Sequence, residues 1–330
     1  MRILVTGAAG FIGSHYVRTL LGGGYEDLHP GSAVASVTVY DKLTYAGNLA
    51  NLAPVEGRFT FVQGDICDAD LLGEVVPGHD VVVNFAAETH VDRSIRGGAS
   101  FVLTNVAGAQ TLFETCLRAG VSRVLHVSTD EVYGSIEAPA SFRETDRLDP
   151  NSPYSAAKAG GDLLARAYAV THGLNVSVTR CSNNYGPYHF PEKVIPLFVT
   201  NLLDGLPVPL YGDGMNVRDW LHVDDHCRGI QVVLEKGLAG DYYNIGGGAE
   251  LSNRELTEKL LAATGRDWSL VTYVEDRKGH DRRYAIDGTR TAALGYTPRI
   301  PFEDGLAATV QWYRDNEAWW RPLKERARLT

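Results

Sequence analysis

One rhythm constrains this chain more than any other feature. Six short apolar runs alternate with helix-length stretches: Arg2 to Val5, Val37 to Tyr40, Phe59 to Val62, Val81 to Val83, Val124 to Val127 and Val176 to Val178. Runs this short and apolar suit strands buried on both faces of a parallel sheet, with helices as the covering layers. Ile12, Tyr16, Val17, Leu20 and Leu21 fall on one face of the first such helix. Further helices are expected over Val102–Ala119 and Tyr154–His172. The pattern predicts an α/β fold: a doubly wound parallel sheet.

Beyond about Tyr185 the rhythm breaks. Asn183 to Tyr188, Tyr211 to Gly214 and Gly246 to Gly248 are clusters of Gly, Asn, Pro and Tyr that mark loops. Helices are expected at Val194–Leu203, Val223–Leu234, Asn253–Thr264 and Phe302–Asn316. Tyr242–Ile245 reads as a strand that rejoins the main sheet. The expected division is therefore residues 1–185 as a Rossmann-type domain and 186–330 as a smaller, interleaved C-terminal α/β lobe, joined by a returning segment near 215–246. The long, glycine-rich stretch Gly22 to Ser36 reads as a surface loop.

Composition excludes several classes. The chain has 31 Lys and Arg against 40 Asp and Glu, a net charge of −9. That balance argues against a nucleic-acid polymer as partner. Cys67, Cys116, Cys181 and Cys227 are far apart and form no CxxC pair, so neither a metal site nor a disulfide framework is suggested. They read as reduced thiols used mostly as core filler. No apolar run approaches the roughly 20 residues that span a bilayer. The first strand begins almost at the N-terminus, leaving no room for a leader. These points together predict a soluble, cytoplasmic protein.

Gly7, Gly10 and Gly13 form G-x-x-G-x-x-G between the first strand and the first helix. Residues without Cβ let the backbone turn tightly and approach a pyrophosphate, while the helix N-terminus offers N–H groups and a positive dipole end. Asp41 closes the second strand. A carboxylate there accepts ribose hydroxyls and repels a 2′-phosphate, which favours NAD over NADP, although Lys42 beside it works against that preference. Asp65, after the third strand, is either a contact to the adenine edge or a loop cap.

Tyr154 and Lys158 are four apart, behind Ser152-Pro153, a good N-cap and first-turn pair. They therefore share one helix face. A nearby ammonium lowers a tyrosine's pKa and makes it usable as a base. Thr129, Asp130 and Glu131 run off the C-terminal end of the fifth strand, where open parallel sheets bind ligands. Two adjacent carboxyls there either serve two proton transfers or divide into a turn cap and a solvated side chain.

Gly7 to Gly13 together with Tyr154-Ser155-Ala156-Ala157-Lys158 resembles the extended short-chain dehydrogenase/reductase superfamily. Within it, Asp41 to Leu49, Ala86 to Ser94, Ser128 to Gly134, Arg180 to Pro187 and Asp276 to Tyr284 resemble the dTDP-glucose 4,6-dehydratases, over nearly the whole chain. Asp130-Glu131 is the most specific element, because related nucleotide-sugar 4-epimerases carry small residues there. The resemblance implies oxidation at C4 of dTDP-glucose, loss of water across C5 and C6, and reduction at C6, with NAD regenerated in each cycle. It gives Tyr154 the part of base at the C4 hydroxyl, with Thr129 bonding the same oxygen and Lys158 holding the ribose. Glu131 is the base at C5 and Asp130 the acid at the C6 hydroxyl.

The cofactor contacts it implies are Gly7, Gly10, Phe11, Ile12, Gly13, Asp41, Lys42, Leu43, Thr44, Asp65, Ile66, Ala86, Ala87, Thr104 and Asn184, besides Tyr154 and Lys158. The substrate contacts are Thr89, His90, Thr129, Asn183, Lys193, Val194, Pro209, Leu210, Tyr211, Arg218, Asn253, Asp276, Arg277 and His280. The basic cluster Arg277, Lys278, Arg282 and Arg283, with Arg218, offers cations for a diphosphate. Lys278 departs from the family, which usually has proline there. A homodimer is implied, through a bundle of two helices from each subunit, near Val102–Ala119 and Tyr154–His172. A UDP-glucose 4,6-dehydratase, a nucleotide-sugar 4-epimerase and a cofactor-sensing regulator on the same fold are the alternatives.

Overall fold

The computed structural model describes residues 1–27 and 34–329. In chain order its strands are β1 (Arg2–Thr6), β2 (Ser36–Asp41), β3 (Thr60–Gln63), β4 (Val81–Asn84), β5 (Arg123–Thr129), β6 (Val176–Cys181), β7 (Asn183–Tyr185), β8 (Val208–Tyr211), β9 (Val217–His222), β10 (Tyr242–Ile245), β11 (Glu250–Ser252) and β12 (Val271–Val274). Seven form one sheet in the order β10-β6-β5-β4-β1-β2-β3, and every neighbouring pair is parallel. These are the six strands expected in the first half, plus the returning Tyr242–Ile245. The chain leaves β1 toward β2 and β3, then comes back to β4 on the other side. The crevice above the carboxyl ends of β1 and β4 is thus a topological switch point, where such sheets bind ligands.

The apolar runs cover both faces, as buried parallel strands must. Ile3 and Val5 enter one core with Val17 and Leu20 of the helix Phe11–Leu21 and Ile230 and Val233 of the helix Val223–Lys236. Leu4, one residue out of phase, enters the opposite core with Leu112, Phe113, Ala165 and Tyr168. Val223–Lys236 comes from the second half of the sequence, so the two halves interleave. A third core joins Phe198, Leu202, Leu256, Leu260, Val310 and Trp320.

Two expectations need correction, while the cysteines fit the reading of mostly buried thiols. The helix expected over Val102–Ala119 starts at Ala99 and widens into a π-helix over Leu103–Gly108 before continuing as Ala109–Ala119. Gly108 lets this wider turn press on its neighbours, since a Cβ there would lie 2.8 Å from Ile66 Cγ1. The second half is less loop-rich than expected. It holds two small sheets, β11-β9-β7 and β12-β8, whose three- to six-residue strands carry too little periodic pattern to be read locally. Of the cysteines, Cys67 is exposed, whereas Cys116, Cys181 and Cys227 are buried. Of the expected loop Gly22–Ser36, residues 28–33 lie outside the described residues, and Ser36 already belongs to β2. No described helix is long and apolar enough to cross a membrane.

Candidate active site

One cavity of about 460 Å³ runs across the carboxyl ends of the main strands and into the second lobe. The glycine loop forms one end. Gly7 has φ +66°, a conformation that favours glycine, and a Cβ on it would sit 2.5 Å from the Ala86 nitrogen. A Cβ on Gly13 would sit 2.5 Å from the Gly7 oxygen. The glycines thus let the turn lie against β4 and the helix against the turn. That helix begins at Gly10 with no side-chain cap and no acid in its first turn, and Gly10 to Gly13 face the cavity. Uncapped N–H groups aimed into a cleft fit a pyrophosphate.

Asp41 lies at the next strand end, where a ribose-binding carboxylate is required. Its oxygens accept from the backbone nitrogens of Ala9 and Leu43 at 2.8 Å each, which fixes the carboxylate while leaving lone pairs for a ligand. Lys42 does not counter it: its ammonium sits 2.6 Å from Asp65 Oδ2. Asp65 also caps its own turn, accepting from Cys67 N at 3.0 Å. With Lys42 neutralised in this way, the residues present fit NAD.

The reaction end is built by β5 and one helix. Thr129 ends β5 and caps the short turn Asp130–Tyr133, accepting from Glu131 N at 3.3 Å. Neither carboxyl serves as the cap, and both line the cavity. Beside them, the helix Pro153–His172 starts with a reciprocal capping box between Ser152 and Ser155. Its first turns deliver Tyr154 and Lys158 to the same cavity wall.

The two carboxyls differ in environment. Asp130 is 3% exposed, and its Oδ2 has no hydrogen-bond partner among the described residues. Burial pushes it well above the usual carboxylate value, and Glu131 and Asp219 push it further. Burial also raises Glu131, but Lys193, Arg218 and Arg277 all oppose the rise. The site therefore keeps Asp130 protonated more strongly than Glu131.

Tyr154 departs from the expectation that Lys158 lowers it. Burial raises its phenol well above the ordinary value, Glu131 adds to this, and only a hydrogen bond with Thr129 opposes among the leading influences. Lys158 is turned toward β5, where its ammonium donates to the Val127 carbonyl at 2.7 Å.

Cations from the second lobe line the far end. Arg218 donates to the Val217 and Asp281 carbonyls, and Lys193 donates to the Thr89 carbonyl at 2.7 Å. Arg277 makes a bidentate pair with Asp92, at 2.6 and 3.1 Å. His280 Nδ1 lies 2.6 Å from Asp276 Oδ1.

The remaining candidates Phe11, Ile12, Thr44, Ile66, Ala86, Ala87, Thr104, Thr89, His90, Asn183, Asn184, Val194, Pro209, Leu210, Tyr211 and Asn253 also line the cavity. Leu43 and Asp276 do not: Leu43 gives its backbone N–H to Asp41, and Asp276 stands behind the cavity wall, against Arg277 N and His280 Nδ1. The expectation for Lys278, Arg282 and Arg283 as cavity cations is not met. None of the three lines the cavity, and Arg282 pairs with Asp213 and Arg283 with Glu250. Charge alone did not distinguish a surface pair from a site cation.

Several wall residues were missed. Glu192 accepts from Tyr45 and Arg93, tying three segments together, and it directly precedes the predicted Lys193. His189 stacks on Phe11 with ring centroids 4.0 Å apart, a contact between distant segments that leaves no local signal.

The family model described as GDP-mannose 4,6 dehydratase matches residues 4–309. A dTDP-glucose 4,6-dehydratase of Streptomyces niveus is 59% identical, covering 98% of this chain and 96% of that protein. One from Streptomyces antibioticus is 60% identical, over 99% and 96%. The crystal structure of DesIV, a dTDP-glucose 4,6-dehydratase from Streptomyces venezuelae with NAD bound, superposes with a TM-score of 0.95. It is 61% identical, and the match covers 98% of this chain and 100% of that one. In sequence and in fold, the chain belongs to the dTDP-glucose 4,6-dehydratase family of extended short-chain dehydrogenases/reductases.

Proposed function

We propose that this chain is an NAD-dependent hydro-lyase that converts dTDP-glucose to dTDP-4-keto-6-deoxyglucose. The observation that carries the reading is the unequal pair Asp130 and Glu131 at the end of β5, on the same cavity wall as Tyr154 and Lys158.

NAD, when bound, supplies the carbon that takes the hydrogen from C4 and returns it at C6, and brings a positive charge to the site. Tyr154 takes the proton of the C4 hydroxyl, and Thr129 bonds the same oxygen. A phenol raised by burial needs positive charge around it at that moment, and Lys158 is the chain's own contribution. The C4 ketone acidifies the C5 hydrogen. Glu131, favoured as a carboxylate by Lys193, Arg218 and Arg277, removes that proton. Asp130, kept protonated, gives its proton to the C6 hydroxyl, which leaves as water. An epimerase needs no such pair, so its presence weighs against that alternative.

In this reading, residues 1–185 with the returning segment 215–246 form the NAD-binding domain. The remainder forms the nucleotide-sugar lobe, with its Lys193 and Arg277, together with Arg218 of the returning segment, toward the diphosphate. The reaction belongs in the cytoplasm. We also assign a homodimer. Val102, Leu103, Leu163 and Val170 are large apolar residues, 53–71% exposed, on the two helices expected to meet. Sedimentation velocity tests this, and a monomer for the parent protein contradicts it.

Incubating the purified protein with dTDP-glucose or UDP-glucose, without added NAD, tests the function. A 4-keto-6-deoxy product from dTDP-glucose supports the reading and a retained cofactor. A galactose-configured product supports the epimerase instead.

A further inference from the structure

Behind the reaction end, one helical turn past Lys158, the side chain of Asp162 is fully buried. Tyr154, Lys158 and Asp162 are spaced by four and so stack along one helix face. Gly161 brings this helix close to β5. A Cβ there would lie 2.7 Å from the Asn105 carbonyl oxygen and 3.1 Å from His126 Nε2.

Arg180, from β6, clamps one oxygen of Asp162: its Nε donates to Oδ2 at 2.8 Å. Arg180 is itself held by the Tyr133 hydroxyl at 2.8 Å and lies over the Tyr242 ring. Among the described residues the other oxygen, Asp162 Oδ1, has no hydrogen-bond partner, and His126 Nε2 stands 3.9 Å away, also without one. The tautomer of His126 follows from its neighbours. Asn84 Oδ1 accepts from Thr6 and from Ala86 N, so Asn84 Nδ2 is the donor toward His126 Nδ1 at 2.9 Å. That leaves the His126 proton on Nε2, facing Asp162. Burial, and then Lys158, hold the ring neutral.

The groups against Asp162 are therefore Arg180 from β6 and neutral His126 from β5, while Lys158 stands one turn back on the same helix, beyond ion-pair distance, with the buried thiol of Cys181 as its other titratable neighbour. The Tyr242 hydroxyl meets only the Asp162 backbone carbonyl, at 3.4 Å. Lys158 is a buried ammonium whose hydrogen bond goes to a carbonyl, not to a carboxylate. An ammonium so placed tends to lose its proton unless a negative charge stands close by.

We infer that Asp162, clamped by Arg180, is the counter-charge that keeps Lys158 protonated, which makes it a positioning residue for the proton transfer at Tyr154. The inference rests on the proposed part of Lys158. Burial lowers the Lys158 ammonium, and Asp162 is the largest influence opposing that fall.

The test is the pH profile of C4 oxidation in single turnovers, read as absorbance of the reduced cofactor because Asp130 takes no part in that step, with melting temperatures measured alongside. In Lys158→Arg the alkaline limb is expected to vanish, because a guanidinium does not titrate there. In Asp162→Asn the limb is expected to move down by about 1 pH unit or more, as for a lost charge partner in a buried site. Asp162→Glu is expected to return it toward the parent position. The double variant Asp162→Asn/Arg180→Gln removes both members of the clamp, so no guanidinium is left unpaired there, and decides the matter should Asp162→Asn fail to fold. It is expected to show a smaller downward shift. A lowered melting temperature with the limb unmoved in the folded variants overturns the inference alone. A limb that persists in Lys158→Arg overturns both the inference and the reading of Lys158.

Discussion

The two ends of the cavity hold their charges by different means. At the reaction end, Thr129, Asp130 and Glu131 continue a strand of the main sheet, and Tyr154 and Lys158 ride on a helix fixed by its capping box. Burial then sets the protonation states. At the nucleotide end, Lys193, Arg218, Arg277 and His280 come from shorter elements and loops. Each is steadied by a partner: a carbonyl for Lys193 and Arg218, Asp92 for Arg277, Asp276 for His280. The first arrangement tunes chemistry by removing water. The second keeps Lys193, Arg218 and Arg277 waiting as cations, with His280 pushed toward its neutral form by burial, and a diphosphate must compete with the partners they already have. Changes at the first end should therefore appear in kcat and changes at the second in KM.

The largest effect is expected for Tyr154→Phe. Removing the base should lower kcat by about 10³, within the range for general acid–base groups, with KM little changed. Steady-state rates of 4-keto product formation measure it, and a matching rise in KM would erase the distinction between the ends. Next comes Arg277→Gln, which removes a guanidinium but leaves the sheet edge intact. Its KM for dTDP-glucose should rise roughly tenfold, with a smaller fall in kcat because one of the three cations that favour the Glu131 carboxylate is lost.

Asp130→Asn sharpens the claim that burial tunes the reaction end. A carboxyl raised in the folded state binds its proton more tightly there than in the unfolded chain. Its contribution to stability is then full below the unfolded value of about 3.8 and falls as pH rises toward the folded value. Thermal melts from acid to neutral pH should show the parent losing stability relative to Asp130→Asn. The variant should melt a few °C higher at neutral pH, roughly the shift of a 1 kcal/mol change in a domain of this order. The smallest effect belongs to Arg282→Ala. Its exposed pair with Asp213 lies off the cavity, so both kinetic constants should stay within about twofold of the parent.

The same division explains what was legible in the sequence. The reaction end rests on local patterns: apolar runs, a Ser-Pro helix start, a four-residue spacing. Each maps directly onto backbone that places Asp130 or Tyr154. The nucleotide end depends on pairings between distant segments. Arg277 and Arg283 are six residues apart in one basic stretch, yet one lines the cavity beside Asp92 and the other pairs with Glu250 outside it. Nothing in that stretch distinguishes them. Likewise β7 and β9 exist because they pair with each other, not because three or six residues prefer to be extended. The raised phenol of Tyr154 was also illegible, because desolvation is a property of the assembled site.

The central claim is that Asp130 is the acid of the elimination and takes no part in the oxidation. Single-turnover reaction of Asp130→Asn with dTDP-glucose, followed by absorbance of the reduced cofactor and by product analysis, tests it most directly. The account predicts that C4 oxidation proceeds near the parent rate, reduced cofactor accumulates, and the 4-keto-6-deoxy product forms about 10²-fold more slowly. Elimination at the parent rate in that variant would contradict it.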